Sequence, residues 1–231
     1  MEQYSISDFI EKTKNKEKGH GFFELETDRI LEINLHGSVW IKKGAMISYE
    51  GQMKFSREGF FDHGMGNLLK KMVTGEGTQL TIAKGEGRLF VADTGKKITI
   101  LKLENESIYV NGNDVLAFEN TIQSDIKMMK KMSAMLAGGL FNVKLSGTGL
   151  IAITSHYDPV TLLVEHGKPV STDPNATVAW SGGVESSFKS DVSLGTFVGR
   201  GSGDTLQMEF KGEGFVVVQP YEEVYFQASK R

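Results

Sequence analysis

Three stretches of the chain share one pattern of apolar and polar positions when laid side by side without gaps. They are Val39 to Tyr49 (VWIKKGAMISY), Ile108 to Phe118 (IYVNGNDVLAF) and Val170 to Trp180 (VSTDPNATVAW). The first position is β-branched in each. The sixth is Gly44, Asn113 or Asn175, residue types that tolerate left-handed backbone, and this predicts a turn between two strands. The last three positions run aliphatic, small, aromatic: Ile47-Ser48-Tyr49, Leu116-Ala117-Phe118 and Val178-Ala179-Trp180. That alternation predicts a strand whose aliphatic and aromatic side chains share one face. Tyr49, Phe118 and Trp180 are expected in equivalent core sites.

A second pattern follows each window. The pairs Gly85/Gly87, Gly147/Gly149 and Gly212/Gly214 each lead into an apolar run, Leu89-Phe90-Val91, Leu150-Ile151-Ala152-Ile153 and Phe215-Val216-Val217-Val218. Strand-like segments also feed each pair. A phosphate cradle needs its glycine loop to open a helix, so these six glycines are expected as structural turns or bulges. The repeats delimit modules at 22–97, 98–158 and 159–231, behind an N-terminal extension at 1–21. A unit of this size has only a marginal core alone, so one compact domain over 1–231 is expected. The fold class is all-β: three β-rich pseudo-repeats with short helical inserts.

Two inserts carry helical periodicity. Asp125 to Ala137 places Ile126, Met128, Met129, Met132, Met135 and Leu136 opposite Lys127, Lys130 and Lys131, a Met-rich and Lys-rich amphipathic helix. Phe61, Met65, Leu68, Leu69 and Met72 cluster on another, next to Phe60, Lys70 and Lys71. As a lid, such helices cover one end of the β-core. As an interaction surface they offer adaptable methionines to a protein and a cationic face to anionic lipid. Ser5, three residues before Asp8, has capping-box spacing for a short N-terminal helix.

Composition narrows the chemistry. The 27 glycines and 4 prolines fit many turns, and the absence of cysteine removes disulfides, thiol catalysis and thiolate metal sites. Net charge is −3, with no basic field or basic-aromatic stripe for nucleic acid. The start resembles no signal or transit peptide, and no apolar run approaches the ~18 residues of a spanning helix; a cytoplasmic protein, peripheral to the membrane at most, is expected. His20, His36, His63, His156 and His166 form no ligand motif, and Ser155-His156-Tyr157-Asp158 holds triad residue types without triad spacing. Glu86 and Glu213 recur at one repeat position, as a turn position would. No catalytic residue, metal site or cofactor is expected.

The windows Val39 to Tyr49 and Leu140 to Gly149, with Gly199-Arg200-Gly201-Ser202-Gly203-Asp204, resemble the bacterial branch of the altered-inheritance-of-mitochondria family, member twenty-four. The resemblance runs from about Phe22 onward. It implies three modules about a pseudo-threefold axis, similar to the tryptophan RNA-binding attenuation protein and to a double-stranded β-helix. Mitochondrial relatives are associated with inner-membrane organisation, and the family offers no catalytic residues to carry over. The expected function is a non-enzymatic scaffold or interaction protein that self-associates or binds a protein partner, with peripheral membrane contact. An RNA-binding module or a small-ligand binder at an inter-module cleft is the alternative.

Overall fold

The computed structural model describes residues 3–15, 21–57, 80–128, 141–190 and 206–222. Helix α1 (Ile6–Thr13) opens the chain, with the Ser5 hydroxyl and Asp8 carboxylate capping it reciprocally. It buries none of its residues: Ile6, Phe9 and Ile10, one apolar face at i, i+3 and i+4, are exposed.

The rest is antiparallel β-structure. Strands β1 (Phe23–Thr27), β2 (Ile30–Lys42), β3 (Met46–Arg57) and β4 (Leu80–Val91) come first. Then follow β5 (Lys97–Asn111), β6 (Val115–Glu119), β7 (Ile122–Met128) and β8 (Phe141–Ser155). The last group is β9 (Val160–Val164), β10 (Val170–Thr172), β11 (Thr177–Ser181), β12 (Glu185–Ser190), β13 (Leu206–Lys211) and β14 (Gly214–Val218). The larger sheet runs β3-β4-β2-β6-β8-β5-β11-β14-β9, with β1 on β2 and β7 on β8; the smaller runs β10-β13-β12.

The registers explain this order. β2 pairs with β4 along its whole length, and β5 does the same with β8. In the last group the corresponding ladder is split between β9 on β14 and β10 on β13. A third strand lies on each ladder: β3 on β4, β6 and β7 on β8, β11 and β12 on β14 and β13. The register slips at the same place each time, between Met46 and Ser48, Val115 and Ala117, and Thr177 and Ala179. The residue left over is Ile47, Leu116 or Val178, always the ninth position of the sequence window. One bulge therefore marks each group.

The glycine pairs sit where paired strands leave regular extended backbone: Gly37 and Gly51, both at positive φ, lie opposite Gly85 and Gly87, and the β5 register slips between Glu104 and Glu106 opposite Thr148 and Gly147. Gly85/Gly87 and Gly147/Gly149 lie inside the continuous strands β4 and β8, so of the expected turns or bulges they are not turns between strands. Only Gly212/Gly214 fall at a strand break, between β13 and β14. Gly87 has φ +138°, and a Cβ there would stand 2.0 Å from the carbonyl oxygen of Glu50 on β3. Gly149 and Gly214 meet the hydroxyls of Thr121 and Ser181 in the same way. The glycines let neighbouring backbone approach closely.

Other expectations are corrected. Gly44, Asn113 and Asn175 all lie between strands, yet only Gly44 has positive φ; Asn113 and Asn175 instead donate their backbone N–H to the side chains of Asn111 and Asp173. Phe118 and Trp180 are buried, whereas Tyr49 is 45% exposed. The helix expected from Asp125 is a strand as far as Met128, because β7 pairs residue for residue with Phe141 to Gly147 of β8. The methionine spacing gave way to that ladder. The remainder of that segment, and the helix expected from Phe61 to Met72, lie outside the described residues.

Candidate functional site

Two seams join the groups. In the first, Val39, Trp40 and Ile41 of β2 pair with Glu119, Phe118 and Ala117 of β6. In the second, Ile108, Tyr109 and Val110 of β5 pair with Ser181, Trp180 and Ala179 of β11. Both pair window positions one to three of one group with positions eleven and ten of the next and the residue just past its window. Each carries a stacked aromatic pair: Trp40 on Phe118 at 6.0 Å and 18°, and Tyr109 on Trp180 at 5.4 Å and 13°.

The same rule would set Val170, Ser171 and Thr172 of β10 against Glu50, Tyr49 and Ser48 of β3, respectively. Among the described strands that ladder is not formed: β3 and β10 are each at the edge of a sheet. Window position two, aromatic in the first two groups, is Ser171 in the third. Tyr49 turns instead to Phe55 of its own strand, edge-on at 5.5 Å. The two halves of this third seam leave apolar side chains in the open. Met46, Ile47 and Tyr49 are exposed on β3, and Val160 and Leu162 on β9.

Polar locks hold the closed seams. Near the first, Lys42 reaches from β2 to the Asp93 carboxylate at 2.8 Å and the carbonyl of Asn113 at 2.7 Å. Buried Lys96 pairs with buried Asp114 at 2.9 Å. Near the second, Asn111 donates its side-chain amide to the carbonyl of Thr177, whose hydroxyl meets that of Thr172. In the smaller sheet, Glu209 is almost wholly buried between Lys189 and Lys211. Hydrogen bonds from those ammonium groups, Lys189 foremost, hold its carboxyl below the ordinary carboxylate range.

A pocket of about 310 Å³ opens beside the second seam. Its lining includes buried Ile108, Ile153 and Val178, half-buried Phe215, and Thr99 and Thr161, and no charged side chain. The chain has no triad here: the Ser155 hydroxyl donates to the carbonyl of Tyr157, His156 stacks on Tyr221, and Asp158 pairs with Lys97. Glu86 and Glu213 are both exposed.

Of the surface residues expected from sequence, Phe60, Phe61, Leu68, Leu69, Lys70, Lys71, Met129, Lys130, Lys131, Met132 and Met135 lie outside the described residues, and Met128 is on β7. Sequence reasoning missed the open third seam. The signal was present in window position two, where Trp40 and Tyr109 give way to Ser171, a column that the alignment of aliphatic positions passed over.

An 11-stranded and a 3-stranded antiparallel sheet with a single short α-helix among the described residues make this an all-β protein, and no helix among those residues is long and apolar enough to cross a membrane. The chain belongs to the AIM24 family, described as mitochondrial biogenesis AIM24, whose model matches residues 23–221. α1 lies before that match. The crystal structure of protein SPYM3_0169 from Streptococcus pyogenes is similar in fold, with a TM-score of 0.70 at 21% identity over 87% of this chain and 92% of that one. No curated protein matches.

Proposed function

We propose that the protein is a non-enzymatic scaffold built from one module written three times, and that it self-associates head to tail through its third seam. The observation that carries this reading is the pair of unsatisfied halves at β3 and at β9–β10. Twice within the chain, a strand equivalent to β3 pairs with a strand equivalent to β10. A second copy offers to each free half the partner that its own fold uses elsewhere. Edge strands with exposed apolar side chains recruit further strands unless something covers them. The union is of unlike surfaces, so it is heterologous. Because Ser171 supplies no ring for Tyr49 to stack on, association is weaker than the internal seams and reversible.

The test uses one charge on each half. Sedimentation of the wild type is expected to show concentration-dependent oligomers. Ile47→Lys on β3 and Leu162→Lys on β9 should each give monomers. Mixed, the two variants should form one-to-one dimers that grow no further, since each retains one intact half. A wild type that stays monomeric at high micromolar concentration, or a mixture that stays monomeric when the wild type associates, removes the reading.

A further inference from the structure

The pocket at the second seam has a filled counterpart at the first. Register identifies the positions: Thr99 pairs with Ile153 as Leu31 pairs with Val91, and Thr161 pairs with Val217 as Ile100 pairs with Ala152. At the first seam, Leu31, Val91, Ile100 and Ala152 belong to one continuous core cluster. That cluster is completed by Phe23 and Leu25 of β1, which pair with Ile33 and Leu31 of β2. The second seam differs in two ways. The aliphatic Leu31 and Ile100 are replaced by Thr99 and Thr161, and among the described residues no strand like β1 lies alongside to fill the space.

The result is a buried apolar floor of Ile108, Ile153 and Val178, a Phe215 wall, and two threonines that make no side-chain hydrogen bond with described residues. Charges close by in the chain are already matched, Lys97 with Asp158 and Lys102 with Glu104. A cavity of about 310 Å³ is at the small end of ligand sites, roughly 300–1,000 Å³, which combine apolar walls with a few polar groups.

We infer that this pocket binds a neutral molecule with a single unbranched aliphatic chain and an uncharged polar end, the chain lying on Ile108, Ile153 and Val178 and the polar end meeting the hydroxyls of Thr99 and Thr161. The chain takes the space that aliphatic side chains and β1 occupy at the first seam. The uncharged end follows from a lining without charge, where a carboxylate would lose hydration with no cation to replace it.

The full chain titrated with 1-octanol, octanoate and indole, by calorimetry and thermal shift, tests this. Octanol is expected to bind and raise the melting temperature, and octanoate to bind at least tenfold more weakly. Indole should leave octanol bound. Thr161→Ile and Thr99→Leu install the residues of the first seam and should each weaken octanol at least tenfold without lowering the melting temperature of the free protein. Should either fail to fold, Thr161→Val keeps the shape, removes only the hydroxyl, and should weaken octanol severalfold. The inference falls if the wild type does not bind octanol, if octanoate binds as tightly, if indole displaces octanol, or if none of the folded variants loses affinity.

Discussion

Trp180 and Tyr49 hold the same window position but have opposite surroundings. Trp180 lies between Tyr109 and Phe210 and is 2% exposed, while Tyr49 is 45% exposed. Trp180→Ala should therefore cost about 3–5 kcal/mol, and Tyr49→Ala below about 1 kcal/mol. Denaturant titration of the two variants measures both, and equal losses would contradict the open seam. The sequence pattern foretold the aromatic positions but not this difference. An aromatic in a period-two strand has a defined face, yet whether that face is covered depends on a partner tens of residues away.

Glu209 gives the pH dependence. Its carboxyl is held below the ordinary carboxylate range by Lys189 and Lys211 in the folded chain. An unfolded Glu titrates near 4.3, so the ion pairs contribute fully above that pH, and the contribution is lost as pH falls through the lower folded value. Melting temperature is expected to drop more steeply below about pH 4.3 in the wild type than in Glu209→Gln. Parallel profiles for the two would show that the carboxylate does not matter to acid stability.

At the scale of elements, close backbone approach is what the glycine pairs encode. Gly87→Ala would force a Cβ against the Glu50 carbonyl at a backbone angle that side chains rarely adopt. The expected loss is of the order of 1–3 kcal/mol from the backbone strain, and more where the strand must shift; chemical denaturation reads it directly. Ala at Gly44, whose added Cβ would meet nothing within 4 Å, should cost less. These glycines were legible in the sequence as special backbone positions. Turn and bulge stayed open between them because Gly-x-Gly reads alike in a hairpin turn and within a strand; only the carbonyl opposite decides. The short β7 strand was hidden for a related reason. Ile126, Lys127 and Met128 begin the run of methionines and lysines that satisfies a helical wheel, and the ladder to β8 that overrides this preference is formed with residues beyond the insert.

At the scale of the molecule, the three groups meet through the same window positions, which is why an alignment of eleven residues carried so much of the architecture. What it could not carry was closure. The family resemblance implied three modules about a pseudo-threefold axis, and the described strands of the larger sheet form a path with two ends, β3 and β9. The difference turns on few side chains: Ser171 where the other groups have Trp40 and Tyr109, and Thr99 and Thr161 where the first seam has Leu31 and Ile100. Departures from the repeat mark both the open seam and the pocket. Function is most readily sought where one of the three windows differs from the other two.

The glycine within β3 has a protective effect as well. The 12-residue edge strand β3 exposes Met46, Ile47, Tyr49 and Phe55, and a flat edge of roughly six or seven such residues would invite cross-β stacking. Gly51, at φ +97°, interrupts the regular extended backbone midway along this continuous strand, with Met46 to Glu50 before it. Five residues are enough to find a shaped partner and too few to template an indefinite stack.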